Sequence, residues 1–450
     1  MSISKTGPEP LVELEKFLEP FGRLVRRAES RHALERYATG LLSAAERKTA
    51  SGLGRSLPGT NGQRLQEFLT RTAWDPREMD ELRLRHMSTF AAVGDGILIV
   101  DDTGFAKKGT DSVGVARQYS GTLGRVDNCQ VLVTAHYVDR VFDWPVTARL
   151  YLPESWASNR SLCRKAQVPR GTIFQTKGEI ALDLIDRARK NGVPFRAVVA
   201  DAGYGDQSSL LDGLVARGIP HVAGISRTTR FRLAEEVDQD PRDDPPPAYT
   251  GKGRPRKGKT IRDRVPAREA SAILEGLPPQ AWERTAWRDG TKGPLVKEFA
   301  KAEVFRCGYR GAPLPVRGWL LGERSCTGSR SEEDRKYFFL WGQVDRPLRE
   351  WVEMAHLRWV IERFYQDAKG ELGLDHYEGR LWTGFHRHVA LVMLAHSFLT
   401  LRQSYGPEIL GVGETPIPPG GAGDATPPPP LRSFPPTGAQ EHGLSAPDSP

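Results

Sequence analysis

The chain has 450 residues, with 64 Lys and Arg against 56 Asp and Glu, a formal net charge of +8 and a pI near 9.3. That length suits two or three domains; four cysteines far apart, with no CxxC pair, exclude a disulfide scaffold and a zinc ribbon and suit a reducing cytoplasm. The opening MSISKTGPEP has no apolar signal region, and the longest apolar run, Val389 to Leu401, is too short and too polar to cross a bilayer, so neither secretion nor membrane insertion is expected.

From about residue 8 to 90 the pattern is helical: Leu11, Leu14, Leu18 and Phe21, then Leu34, Tyr37 and Leu41, recur at helical spacing. Pro20 is placed to end or kink the first stretch, and a polar stretch from Ser51 to Gly62 separates the later helix. Arg23, Arg26, Arg27, Arg31 and Arg36 make residues 1–92 either a solvated helical surface or a DNA-contacting domain. Beyond Gly96 the texture changes. Ile97-Leu98-Ile99-Val100 reads as a strand ending in Asp101-Asp102, and further strands are expected at Gln130–Val138 and Trp144–Leu152. A helix over Glu179–Asn191, stopped at Gly192, precedes a strand Arg196–Ala200 that ends in Asp201. A helix over Ser208–Arg217 and a strand over Pro220–Ile225 follow, so residues 93–226 imply an α/β core with a mixed sheet.

Residues 227–336 break that alternation with an acidic, proline-rich piece, a basic piece from Lys252 to Arg264, and short β-rich segments at Lys301–Arg306 and Val316–Leu321. This reads as an insertion. Two helices, Arg346–Leu372 and Thr383–Gln403, return within residues 337–405. Residues 406–450 carry 12 of the 34 prolines and no apolar period, which reads as a disordered tail.

Gly253-Arg-Pro-Arg-Lys-Gly258-Lys259-Thr260 matches the phosphate-binding loop pattern, but no apolar strand feeds it and Pro255 and Pro266 interrupt it, so nucleotide binding is set aside. Its basic residues, Lys252, Arg254, Arg256, Lys257 and Lys259, suit a loop lying against nucleic-acid phosphate, or a plain solvated charge run. Asp101 and Asp201 each follow an apolar strand run, where an aspartate is either a turn or cap residue or a metal ligand; paired carboxylates are what hard divalent cations require. Leu357, Ile361, Phe364 and Ala368 mark the buried face of a helix that carries Arg358, Glu362 and Lys369 on another face, where Arg358 and Glu362 are neighbours. His386 and His388 lie in the last helix and read as structural or exposed rather than catalytic.

Three blocks resemble a known family. Val100-Asp101-Asp102-Thr103-Gly104-Phe105-Ala106-Lys107-Lys108-Gly109, with Ser112 to Gly121, is similar to the first catalytic block of the DDE insertion-sequence transposases of the seven-hundred-one type, related to the wider insertion-sequence-four group. Val199-Ala200-Asp201-Ala202-Gly203-Tyr204-Gly205 resembles the second block. The third, Y-x2-R-x3-E-x6-K in the wider relatives, is matched by Arg358, Glu362 and Lys369, with Ala355 where the tyrosine would stand. The resemblance covers roughly residues 10–405 and implies an RNase H-like core interrupted by a β-rich insertion. It also implies Asp101, Asp201 and Glu362 as the catalytic, metal-binding triad, with Asp102 as the alternative to Asp101. Strand alternation points those two neighbours to opposite faces.

The implied chemistry is metal-dependent cleavage at transposon ends and strand transfer into target DNA, through two Mg²⁺ ions with Mn²⁺ able to substitute. Arg358 and Lys369 would position phosphate, and Lys107, Lys108 and Arg117 are candidate backbone contacts. The partners would be terminal inverted repeats and target DNA, with a homodimer in the synaptic complex, in the nucleoid of the cytoplasm. Two rival readings stand beside it: a transposase-derived DNA-binding protein that no longer cuts, and a Mg²⁺-dependent nuclease without strand transfer.

Overall fold

A computed structural model of the protein describes residues 11–91, 94–121, 124–239, 245–246, 248–255, 257–258, 265–290, 293–308, 313–326, 334–342 and 346–406. Five helices come first: Val12–Gly22, Ala28–Leu42, Ala50–Ser56, Gly62–Thr70 and Pro76–Ser88. Leu14, Phe17, Leu18 and Phe21 are buried at helical spacing, and Pro20 sits inside the first helix without ending it. The polar stretch that separates the sequence's helical runs itself holds the short helix Ala50–Ser56. Its start is capped by Thr49, whose side chain accepts from the Gly52 amide, so capping outweighs its low apolar content.

Twelve strands form one mixed sheet: β1 Gly96–Ala106, β2 Ala116–Ser120, β3 Arg125–Val138, β4 Asp143–Leu150, β5 Phe195–Ala200, β6 His221–Ile225, β7 Arg230–Leu233, β8 Arg268–Glu269, β9 Glu283–Gly290, β10 Gly293–Cys307, β11 Pro313–Arg324 and β12 Lys336–Trp341. β1 runs antiparallel to β3 and parallel to β5, and β5 runs parallel to β6. The helices Lys177–Lys190 and Ser208–Ala216 supply the crossovers; the first opens on a Thr176/Glu179 capping box and stops at Gly192, whose φ of 82° is open to glycine. This α/β arrangement is consistent with an RNase H-like core.

The first strand is longer than its apolar run. The strand was expected to end at Asp101-Asp102, but β1 continues to Ala106 because β3 is long enough to pair it throughout, from Asp101↔Thr134 to Ala106↔Cys129. Polar side chains do not stop a ladder that the backbone can complete.

The β-rich residues join the same sheet rather than standing apart from it: β12 pairs antiparallel with β6, and β11, β10, β7 and β8 follow outward. The segments expected at 301–306 and 316–321 lie within β10 and β11, which face each other at Ala302↔Leu320. The single helix expected over 346–372 is two, Leu348–Ala355 and Trp359–Gly370. His356 sits at the break, its ring stacked 4.2 Å from that of Trp287 and its Nε2 2.9 Å from Glu323 Oε2, so contacts with β9 and β11 redirect the chain there.

The last helix, Trp382–Tyr405, is the spine against which the first helices pack. Phe398 meets Phe17, Arg387 bonds the carbonyls of Leu69 and Trp74, and buried Arg83 reaches Ser397 and the carbonyls of Pro145 and Val146. No described helix is long and apolar enough to cross a membrane. The proline-rich tail from 407 lies outside the described residues, as do Arg256 and Lys259 of the basic loop.

Candidate active site

The register of the parallel strands brings two of the acids abreast. The last β1–β5 pair is Val100↔Ala200, so Asp101, next along β1, and Asp201, immediately past the end of β5, follow it at the carboxyl end of the parallel pairing. Asp201 caps the four-residue helix Ala202–Gly205, its Oδ1 accepting from the Tyr204 amide at 3.1 Å. That helix lies hard against β6: a Cβ on Gly205 would stand 1.9 Å from the Gly224 carbonyl oxygen, which is why glycine occupies the position.

The third acid arrives on the helix Trp359–Gly370. Ile361, Phe364 and Ala368 are buried as expected, while Glu362 in the first turn turns outward. Arg358 immediately precedes the helix. Its Nη2 lies 3.1 Å from Asp101 Oδ2, 3.3 Å from Glu362 Oε1 and 3.8 Å from Asp201 Oδ2. One guanidinium therefore faces carboxylates drawn from positions 101, 201 and 362. Side-chain exposure rises from 9% at Asp101 through 27% at Asp201 to 55% at Glu362, so the site is open on the glutamate side.

Burial pushes the Asp101 carboxyl up from its ordinary 3.8 to about 7, against the lowering pull of Arg358 and with a further push from Asp201. Burial alone would lower Arg358, yet Asp101 and Asp201 hold it above its ordinary value, so it stays charged. Arg358 thus compensates the buried acid only in part. Among the described residues, no group of three or more His, Cys, Asp or Glu side chains stands ready-made to hold a metal ion. The donor chemistry fits a hard divalent cation all the same: three carboxylates, no sulfur or imidazole, and a buried acid short of positive charge.

Asp102 points to the other face. Its Oδ2 accepts from Lys177 Nζ at 3.0 Å and from the Tyr204 hydroxyl at 3.2 Å. Tyr204 thereby ties Asp102, through its hydroxyl, to Asp201, through its amide. Tyr204, Lys177, Thr134 and Tyr365 are the residues that sequence reasoning missed. Tyr365 OH lies 2.5 Å from Thr134 Oγ1, and Thr134 pairs across from Asp101. Tyr204 stood within the second motif and Tyr365 one turn after Glu362, so both lay in view, but nothing local distinguished a phenol bonded to Asp102 or to Thr134 from a plain core tyrosine.

The expected phosphate contacts divide by environment. Lys369 Nζ donates to the Gly104 carbonyl at 3.1 Å and lies over the Phe105 ring, while Lys107 Nζ donates to the Tyr377 carbonyl at 2.7 Å. Both are half-buried, and burial lowers both ammonium groups. Lys108, Arg117, Lys252, Arg254 and Lys257 are exposed. Arg36, counted among the early positive charges, is buried and paired with Glu35. His388 is buried between the Tyr37 hydroxyl and the Gly373 carbonyl, and His386 bonds the Trp382 carbonyl.

Comparison with known proteins bears on this geometry directly. The chain is 31% identical, over 215 residues, to the probable transposase for insertion sequence element IS701 of Microchaete diplosiphon; the match covers 46% of this chain and 54% of that protein. The chain thus spans about half the length of the curated relative it matches. A family model described as DDE superfamily endonuclease, a group of divalent-metal-dependent enzymes, matches residues 17–294, which include Asp101 and Asp201 and stop short of Glu362. With well over half of its length inside that match, and with an α/β fold consistent with an RNase H-like core, the chain belongs to the DDE superfamily endonucleases.

Proposed function

We propose that the protein is a DNA transposase that cuts at the ends of its element and joins those ends to target DNA. The observation that carries this reading is the gathering of Asp101, Asp201 and Glu362, from three distant parts of the chain, around one Arg358 nitrogen. These carboxylates would hold the metal, and two Mg²⁺ ions, replaceable by Mn²⁺, supply when bound the Lewis acidity for in-line displacement at a phosphodiester. The Arg358 nitrogen that Asp101 shares with Asp201 and Glu362, against the Lys177 and Tyr204 partners of Asp102, favours Asp101 as the ligand.

The chain's own residues prepare the site. Asp101 is anchored by the neighbouring Asp102 amide, which donates to its Oδ1 at 2.8 Å, and Asp201 by its capping bond, so neither acid must be ordered when DNA arrives. Arg358, about a third exposed, balances the acids and presents a fork suited to a phosphate. Lys369, tied to β1 beside the acids, would hold the strand near the scissile phosphate, and Lys108, Arg117, Lys252, Arg254 and Lys257 would meet the backbone farther out. The substrates are then terminal inverted repeats and target DNA, bound by a homodimer that pairs two ends, on the nucleoid.

The test is cleavage and joining with purified protein, DNA carrying the element's ends, target plasmid and Mg²⁺. The wild type is expected to yield joined products and Asp201→Ala none. Undiminished cleavage by Asp201→Ala sinks the site, cleavage without joining leaves a nuclease, and DNA binding without cleavage by the wild type leaves the non-cutting descendant.

A further inference from the structure

We propose that the segment from Arg160 to Lys177 is a second DNA-contacting surface beside the acids, with Ile173 and Phe174 as an apolar wedge that enters a distorted base step; this rests on the DNA-cutting reading above. Neither the basic loop nor the early helices are involved.

Charge is the first ground. Between Ser155 and Gly178 the chain carries Arg160, Arg164, Lys165, Arg170 and Lys177 and no acid at all. Arg160, Arg164 and Arg170 are exposed, and among the described residues no ion pair holds any of them. Three free arginines on one short segment fit phosphate better than they fit the mixed-charge surface of a second copy.

Exposed apolar surface is the second. Ile173 is 72% exposed, the highest value among the large hydrophobic residues described, and Phe174 beside it is 37% exposed. Bulky apolar side chains of this kind, set within basic surroundings, are what DNA-bending proteins push between base pairs. The segment is also held in shape. Trp156 Nε1 donates to the Val115 carbonyl at 2.7 Å, and the Val168 amide donates to the Cys163 carbonyl at 2.8 Å. Gln167 takes a φ of 55°, the one positive value outside glycine among the described residues, in a conformation that strains any side chain with a Cβ.

Position is the third. The Phe174 ring lies 6.3 Å from that of Tyr151, Lys177 Nζ lies 6.0 Å above the same Tyr151 ring, and Lys177 reaches Asp102 at 3.0 Å. The wedge is therefore joined to the neighbour of Asp101 through two side chains. In this proposal DNA held at the acids continues around the edge of the site onto this segment, from the Asp101 face to the Asp102 face. Unstacking one step there opens the strand, and the arginine–phosphate contacts offset its cost.

Two probes test the proposal: a short blunt duplex, and the same duplex with a central mismatch carrying 2-aminopurine. The wild type should bind the mismatched probe more tightly, by roughly tenfold, and change its 2-aminopurine fluorescence. Ile173→Ser/Phe174→Ser should keep its affinity for the blunt duplex and lose both the preference and the fluorescence change. Arg160→Gln/Arg164→Gln/Arg170→Gln should bind both probes more weakly, with a log–log salt slope smaller by about 2–3. Ile173→Ser alone, at so exposed a site, guards against misfolding, checked by thermal melting. Wild-type behaviour of all variants on both probes overturns the wedge. A change of mass in solution by the serine variant with DNA binding intact also overturns it, since the surface would then meet protein. Failure of the wild type to bind either probe instead sinks the DNA reading itself.

Discussion

Replacing Asp101 with asparagine is expected to stabilise the metal-free protein above about pH 7 and to have little effect near pH 4. Asp101 is only 6% exposed, and burial raises its carboxyl from 3.8 to about 7, so between those values the folded protein holds a proton that the unfolded chain has released. Stability from this group is therefore complete below about pH 4 and is lost as pH rises through about 7. At 1.36 kcal/mol per pH unit, the ionised carboxylate costs the fold on the order of 4 kcal/mol at pH 8, as an upper bound. Asparagine has the same shape and no charge to desolvate. Urea denaturation of the wild type and Asp101→Asn, in chelator, at about pH 4, 6 and 8 measures the difference, and common background titrations cancel in it. The gap should open with rising pH, and Mg²⁺ should narrow it at pH 8 by binding the folded wild type. A gap that stays constant across pH would refute the reasoning.

Other consequences follow from named contacts. Arg83→Met should cost about 3–5 kcal/mol in urea denaturation, because it strips Asp80 and the carbonyls of Pro145 and Val146 of a buried partner; adding Asp80→Asn should restore part of that loss, and a cost under about 1 kcal/mol would show the network to be idle. Gly205→Ala should lower both thermal stability and DNA cleavage, since its Cβ meets the Gly224 carbonyl and would shift the helix that Asp201 caps. Unchanged cleavage by that variant would mean the helix has room. His396 is half-buried and desolvation lowers it to about 4, so relative to His396→Gln the wild type should lose stability as pH falls from 6.5 towards 4, and equal profiles by denaturant midpoint would contradict this.

Much of this protein is legible along the chain because its signals are local. The strand over residues 97–100, the helix stopped by Gly192, and the Asp201-Ala-Gly-Tyr-Gly turn each announce themselves in a few residues whose periodicity or turn chemistry needs no distant partner. The motif blocks likewise put Asp101, Asp201, Glu362 and Arg358 on the page together.

What required the fold is whatever depends on a neighbour remote in sequence. That β1 runs past its acids was decided by the length of β3, and that the helix breaks at His356 by contacts with Trp287 and Glu323. The β-rich residues extend the central sheet because β6 offers β12 an open edge, which no composition could announce. The choice of faces at 101 and 102 follows the same rule: alternation separates the two side chains, but only the positions of Arg358 and Lys177 say which faces what. Backbone propensity and apolar period are properties of a segment and can be read in it. Pairing, electrostatic compensation and burial of a charge are properties of two segments at once, and only tertiary structure brings those together.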